Sequence, residues 1–292
     1  MSNFNMAAAF SSGFAFVKEN LVLCLIMAAI GVIVPQVMQL MVIGSDMAAL
    51  MNPQSMAGAG GLAAMASLGA SFFLVSIIGV IIQYGTMFAA WRGGLDNDVP
   101  LMSALVYGLI AGATSLIAII LVGIATVVPL FLIVGGSMGA LISGGGEMPG
   151  AGTFAFAGLA VLLWALFMVW LSGRLIASGP WMADNASYNP FTGLANAWRL
   201  SAQGQWAIFG YLLLLLLVYL VFAFIIGIVT GASAAGAMMT GGADPAAGFG
   251  QIMTISTIIG IVVGIPIALV GYAITMGIYL SLRESNTESI FG

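Results

Sequence analysis

The chain has 292 residues, of which 62% are hydrophobic and only 5% are charged. A soluble domain carries about 25% charged residues, so this composition excludes a water-soluble globule and indicates an integral membrane protein. Five basic and nine acidic residues are spread along the chain, there is no histidine, and Cys24 is the only cysteine. We therefore predict no intramolecular disulfide, no metal or other cofactor, and no basic stripe for binding nucleic acid.

Six apolar segments, taken in chain order, are each long enough to cross a bilayer. A helix of about 20 apolar residues covers a hydrocarbon core of about 30 Å. Long uniform apolar runs favour helices over the short alternating strands of a barrel. The predicted fold is therefore an all-α integral membrane protein, a single domain over 1–292. Its six spans are predicted at 21–43, 69–91, 108–135, 154–173, 206–230 and 252–281.

The basic residues all fall on one side of this arrangement. Lys18 precedes the first span, Arg92 follows the second, and Arg283 follows the sixth. Arg174 and Arg199 lie between the fourth and fifth spans, whereas the three loops on the opposite side contain no lysine or arginine. The positive-inside rule makes the basic side cytoplasmic. We therefore predict an inner-membrane protein of a bacterium with both termini in the cytoplasm.

A short amphipathic segment precedes the first, third and fifth spans. In the last of them, apolar residues from Phe191 to Trp198 recur at i, i+3, i+4 and i+7, which is one face of a helix. Pro190 suits its first turn, and Arg199 lies off the apolar face. We predict three helical hairpins, each introduced by a short interfacial helix. The three segments are 7–23, 100–115 and 190–206.

The three loops on the side opposite the basic residues resemble one another. Each is rich in glycine, alanine and methionine and carries one acid, Asp46, Glu147 or Asp244, at a spacing of roughly 100 residues. This pattern suggests a threefold internal repeat, although low complexity alone can produce the same similarity. The candidate repeat units are 1–95, 96–180 and 181–292.

Residues 174–206 carry a distinctive pattern. An arginine and a proline follow the fourth span, then come an acid, a second proline, a short helix with a central aromatic residue, a glycine, and an aromatic residue that opens the next span. These positions are Arg174, Pro180, Asp184, Pro190, Trp198, Gly204 and Trp206. Together with "YLSLRES" at 279–285, this pattern resembles the membrane domain of glycerophosphoryl diester phosphodiesterases and its stand-alone relatives.

The resemblance implies a six-helix membrane domain whose own activity is poorly defined. In full-length relatives a separate soluble domain carries out the chemistry with a histidine pair and a carboxylate-bound metal. This chain has no histidine. It also has no nucleotide-binding glycine loop and no Gly-x-Ser-x-Gly elbow. We therefore expect no enzymatic activity.

Four polar residues lie inside the first two predicted spans. They are Gln36, Gln39, Gln83 and Tyr84, and such groups either hold helices together or line a substrate path. Gln36 and Gln83 differ in depth by about 10 Å at the helical rise, which excludes a simple hydrogen bond between them.

Two prolines interrupt apolar spans, and they leave two interpretations open. Pro35 and Pro266 predict breaks in the first and sixth spans, as in transporter sites. Gly260 and Gly264, close to the second proline, instead indicate close helix packing.

The favoured hypothesis is a non-enzymatic scaffold or accessory protein that contacts membrane lipids and a second membrane protein. The candidate lipid contacts are the seven pattern residues and Arg199. The alternatives are a transporter of small solutes or lipids and, more remotely, Cu(I) handling by thioether ligands. The methionines for that last alternative are Met47, Met51, Met56, Met138, Met148, Met238 and Met239.

Overall fold

The computed structural model describes residues 4–50, 59–143, 151–240 and 245–291, and the statements below concern these ranges. Helices account for nearly all of them. The helices are α1 (Met6–Glu19), α2 (Leu21–Leu50), α3 (Ala59–Leu95), α4 (Leu101–Ser143), α5 (Ala151–Leu175), α6 (Ser178–Asp184), α7 (Pro190–Leu200), α8 (Gln205–Thr240) and α9 (Pro245–Phe291).

Six stretches of these helices are long and apolar enough to cross a membrane, which confirms the predicted all-α fold with six spans. They are Leu21–Val42, Ala66–Leu95, Leu101–Leu132, Ala155–Asp184, Gln205–Ile228 and Ile252–Glu284. Large apolar side chains point away from the bundle, for example Phe131 at 74% and Phe224 at 70% exposure. Such a surface would aggregate in water but is well solvated by lipid chains.

The six spans follow one another around a closed ring. Neighbours along the ring are α2 and α3, α3 and α4, α4 and α5, α5 and α8, α8 and α9, and finally α9 and α2. The packing is uneven, since α3 contacts α2 and α4 extensively whereas α5 contacts α4 and α8 less. One of the most extensive contacts, that between α3 and α4, therefore joins two different predicted hairpins.

Glycines explain why α3 and α4 approach so closely. A Cβ atom at Gly108 would collide with the carbonyl oxygen of Gly85, and one at Gly112 would lie 2.7 Å from the backbone nitrogen of Gly85. Gly108 and Gly112 are one turn apart on α4, and Gly85 and Ala89 are spaced the same way on α3. Small residues at this spacing let two backbones meet inside a membrane.

A similar contact joins α2 and α9 at the two glycines noted above. Gly260 lies against the side chain of Gln36, with Nε2 2.9 Å from the ideal Cβ position, and Gly264 lies against Val32. The helices continue through Pro35 and Pro266, so the prediction of broken spans is wrong. Neighbouring helices let a transmembrane helix retain a proline without ending.

Two of the three short segments before the odd-numbered spans form separate helices. Asn5 caps the start of α1, where its side chain accepts hydrogen bonds from the backbone of Ala7 and Ala8, and Asn20 caps its end. Asn189 caps the start of α7, where its side chain accepts a hydrogen bond from Phe191 N at 3.0 Å. Residues 101–115 differ from the prediction, because they form the first turns of α4.

Helix α1 lies across one end of the bundle. Phe4, which precedes α1, packs near the start of α8, where the ring centroids of Phe4 and Tyr211 are 6.4 Å apart. The middle of α1 contacts α9, because Gly13 meets the backbone of Ala273. Its end reaches α3, where Asn20 Nδ2 donates to Gly94 O at 3.5 Å.

The same end of the bundle carries α6, α7 and every basic side chain of the sequence. Lys18 lies at the end of α1, and Arg92, Arg174 and Arg199 lie in the last turns of α3, α5 and α7. Arg283 lies in the final part of α9 and pairs with an acid of α6. We call this side of the molecule the basic end.

Candidate functional site

Asp184, at the end of α6, joins three helices at the basic end. Its Oδ2 atom accepts a hydrogen bond from the Tyr279 hydroxyl at 2.5 Å and lies 3.1 Å from Nη1 of Arg283, both on α9. From α3, Arg92 Nη1 donates to the carbonyl oxygens of Ala183 and Asp184 at 3.1 and 3.4 Å. Asp184 therefore fixes α6 against the spans.

Further contacts hold the segment around α6. Tyr107 of α4 donates to the carbonyl oxygen of Ser187 at 3.0 Å, directly after Ala186, which adopts a left-handed φ of 48°. Pro180 is buried, and Gly179 lies so close to the Trp91 indole that a Cβ atom would collide with the ring. Pro180 and Asp184 thus serve the attachment of α6.

Arg174 occupies a different setting at the end of α5. The residue is only 5% exposed, although its side chain carries a permanent charge. Its Nε and Nη1 atoms are buried and have no hydrogen-bond partner among the described residues. A buried charge without an acceptor is costly, so these two donors need an explanation.

Two tryptophans surround this guanidinium. Its Cζ atom lies 4.2 Å from the centroid of the Trp198 ring, well within the range of a cation–π contact. Trp198 meets Trp170 edge to face, with centroids 5.7 Å apart, and Trp170 Nε1 is a third buried donor for which the described chain offers no acceptor. We call Arg174, Trp170 and Trp198 the donor cluster.

A hydrogen bond from the end of α7 keeps the donor cluster together. The hydroxyl of Ser201 is buried and donates to the carbonyl oxygen of Arg174 at 3.0 Å and to that of Ala197 at 2.8 Å. The bond to Arg174 holds the end of α7 against the end of α5. Helix α8 begins shortly afterwards, at Gln205. Trp198 remains 42% exposed and forms the outer wall of the cluster.

The other predicted contact residues lie apart from the donor cluster. Pro190 is the first residue of α7, and Arg199 points outward and is exposed. Gly204 lies against Phe4, whose Cβ is 2.8 Å from its ideal Cβ position. Trp206 is 69% exposed, beside Phe209. Of the eight candidate contacts, the structure therefore brings together only Arg174 and Trp198 as a compact group.

The four intramembrane polar residues do not converge on one site. Gln36 packs against Gly260, Gln39 is half-buried, and Gln83 is exposed. Tyr84 lines a cavity of about 400 Å³ between α3, α4 and α5, which α6 and α7 cover at the basic end. The lining of this cavity is mostly apolar and includes Trp91, Ser115, Ser172, Leu194 and Thr275.

Several predicted features fall outside the described part of the chain. The side chains of the seven methionines considered for Cu(I), and those of the three loop acids, belong to this group. The copper alternative and the repeat therefore stay predictions.

Trp170, Tyr279 and Trp91 were not predicted as site residues from the sequence. Trp170 could have been found, because it precedes Arg174 by four residues and helical neighbours at that spacing share a face. Tyr279 belongs to the matched chain ending, but its partner lies 95 residues away, and no local pattern indicates such a pairing.

Six apolar spans and a lipid-facing apolar surface define the protein as an all-α integral membrane protein. Comparison with protein-family models, curated proteins and solved structures finds no match to this chain.

Replacing Asp184 with alanine is expected to lower the free energy of unfolding by about 2 kcal/mol, because a hydrogen bond to a charged acceptor is lost. Most of this loss comes from Tyr279, since the Arg283 side chain is 55% exposed and its ion pair contributes little. Thermal and denaturant unfolding in a mild detergent measure it. The matched control is Asp98→Ala, because Asp98 is exposed; an equal loss in both variants would contradict the role of Asp184.

Proposed function

We propose that the protein is a non-enzymatic scaffold or accessory protein of the bacterial inner membrane, with the basic end in the cytoplasm and in contact with phospholipid headgroups. The observation that carries this proposal is the donor cluster, in which Arg174 presents buried unpartnered donors beside a half-exposed Trp198. A planar guanidinium suits phosphate groups, and tryptophan favours the level of the headgroups.

The arrangement of α1, α6 and α7 supports the same proposal. All three lie at the end of the ring where the basic side chains are found, and each is attached to the spans by specific contacts. A layer of short helices with exposed Phe10, Phe14 and Phe191 matches the apolar face of an interfacial helix. Such a layer gives a rigid surface for lipids and for a partner protein.

We also propose kinship with the membrane domain of glycerophosphoryl diester phosphodiesterases, on the seven pattern residues named above. In this structure four of the seven residues serve two tasks. Pro180 and Asp184 attach α6, whereas Arg174 and Trp198 form part of the donor cluster. Attachment of a short helix and contact with a headgroup are both roles that we expect of a membrane domain without a catalytic centre of its own.

A lipid transporter is the second candidate, and the cavity beside Tyr84 favours it. A volume of about 400 Å³ with a mostly apolar lining fits part of an acyl chain better than a polar solute. The cavity is lined neither by Gln36 nor by Gln83 among the described residues. A continuous polar cavity that reaches the middle of the membrane past Gln36 or Gln83 is the feature that we expect of a transporter of small solutes or lipids, so the scaffold remains our preferred proposal.

Native mass spectrometry of the protein, extracted gently from its own membrane, tests the proposed function. A defined protein partner that stays bound at a fixed stoichiometry is the expected result for an accessory protein. A monomer without a partner, together with lipid flux in reconstituted liposomes, would instead support transport and contradict the scaffold proposal. Liposomes that contain Arg199→Gln protein provide the matched control for nonspecific charge effects.

A further inference from the structure

We infer that the donor cluster of Arg174, Trp170 and Trp198 is a binding site for a phosphate group. This inference rests on the proposed headgroup contact and deepens it, because it names the atoms and the chemistry of the ligand. Three buried N–H donors, namely Arg174 Nε, Arg174 Nη1 and Trp170 Nε1, have no acceptor among the described residues.

The polar atoms of the donor cluster indicate that its ligand is an anion. Every unpartnered polar atom in it is a donor, and one of the two side chains that carry them is a permanent cation. A buried donor that lacks an acceptor loses its hydration without compensation, and the loss is greater for a charged group. An anion with several acceptor oxygens lowers this cost for each donor that it reaches.

The geometry of Arg174 favours phosphate over a monatomic anion. The two unpartnered nitrogens of Arg174, Nε and Nη1, donate from different edges of the planar guanidinium, and a phosphate offers several oxygens as acceptors whereas a monatomic anion offers a single atom. Trp198 covers one face of the guanidinium at 4.2 Å from Cζ to the ring centroid, and because Nε and Nη1 are buried, a ligand reaches them only when this half-exposed ring shifts. The indole of Trp170 adds a neutral third donor from the preceding turn of α5.

Neighbouring contacts show that the cluster is built rather than incidental. Ser201 fixes the backbone of Arg174, and Trp198 contacts both other members. The other arginine of this region, Arg199, is exposed and follows Trp198 directly in the sequence. The protein therefore carries one buried arginine inside the donor cluster and one exposed arginine next to it in the sequence. Variants of the two residues can be compared in the same experiment.

The phosphate can belong to a lipid headgroup or to a soluble anion. The experiment uses delipidated protein in a neutral detergent and three probes. These are dioctanoyl phosphatidylglycerol, dioctanoylglycerol, which has the same chains without phosphate, and inorganic phosphate. Thermal unfolding and native mass spectrometry measure binding for wild-type protein, Arg174→Met and Arg199→Met.

We expect phosphatidylglycerol to raise the unfolding temperature of wild-type protein and of Arg199→Met, whereas dioctanoylglycerol does not. Arg174→Met should bind the phospholipid at least about tenfold more weakly. Without any probe it should be at least as stable as wild type, because a buried unpaired charge has been removed. Equal stabilisation by inorganic phosphate would support the site and identify a soluble ligand.

The inference is overturned if Arg174→Met keeps the stabilisation by phospholipid, or if the phosphate-free lipid acts as well. A second variant, Trp170→Phe, keeps an aromatic side chain and removes one donor, so a folded protein with several-fold weaker binding is expected. Unchanged binding in that variant removes Trp170 from the site. These readouts are independent of partner retention, so failure of the phosphate site and failure of the scaffold proposal are separate results.

Discussion

Replacing Gly108 with valine is expected to lower the free energy of unfolding by about 3 kcal/mol, the upper part of the range for overpacked cores. The new Cβ would collide with the carbonyl oxygen of Gly85, and the Ala89 backbone nitrogen and Cβ lie 2.8 and 2.9 Å from the same position. Backbone atoms cannot turn aside as a flexible side chain can. Helices α3 and α4 must therefore separate, and unfolding in detergent measures the effect.

Gly123→Val is the control for this substitution, because it lies on the same helix and an added Cβ would meet nothing within 4 Å. Both variants carry the same change in helix propensity, because each replaces a glycine with a valine. The difference between them isolates the contact of α4 with α3. Equal stability of the two variants would show that this contact does not hold the bundle.

The second large effect is expected at Gly277, where valine should disrupt the packing of α1 against α9. A Cβ at this position would collide with the carbonyl oxygen of Ala9, and Cα of Gly13 lies 3.0 Å away. We expect a loss of about 3 kcal/mol if α1 stays in place. If α1 is released instead, the loss is smaller and the chain becomes sensitive to protease within residues 6–19.

Limited proteolysis at the amino-terminal end, followed by mass spectrometry, separates these two outcomes. Gly271→Val is the control on α9, since an added Cβ there has no neighbour within 4 Å. An intact α1 together with unchanged stability in Gly277→Val would contradict the close contact between α1 and α9.

The spans and the common side of the basic residues could be predicted because both depend on short stretches of sequence. The apolar run from 21 to 43 identifies α2 without reference to any other part of the chain, and the structure places this span at Leu21–Val42. Arg92 and Arg283 follow such runs directly. Hydropathy and charge therefore determine this level of the fold.

The pairing of helices could not be predicted in the same way. Gly108 and Gly112 are two of 40 glycines, and only the position of Gly85 on α3 shows which of them meet another backbone. The donor cluster illustrates the same limit. Arg174 and Trp198 were recognised separately as candidate contacts, but the stacking of one on the other depends on the turn that brings α7 back to α5.

The segment before the third span shows a different limit. The segment 100–115 was predicted to be a separate interfacial helix, yet residues 101–115 continue into α4. Helix α1 ends at Asn20, whose side chain bonds back to Phe16 O at 3.0 Å, and α7 ends in the turn before Gln205. A boundary between an interfacial and a spanning helix thus needs a local stop signal, and Leu101–Ser143 runs through without one.

The contact between Ala9 and Gly277 also constrains how the protein is made. Roughly 270 residues separate the two, so at 5–20 residues per second the ribosome needs on the order of 10–50 s to reach the second after the first. During this time α1 has emerged but its docking surface does not yet exist. Phe10 and Phe14, which stack at 4.5 Å on its exposed side, can keep it at the bilayer surface meanwhile. Helix α1 is synthesised before all the spans that it contacts, and it is therefore among the last helices to reach its final position.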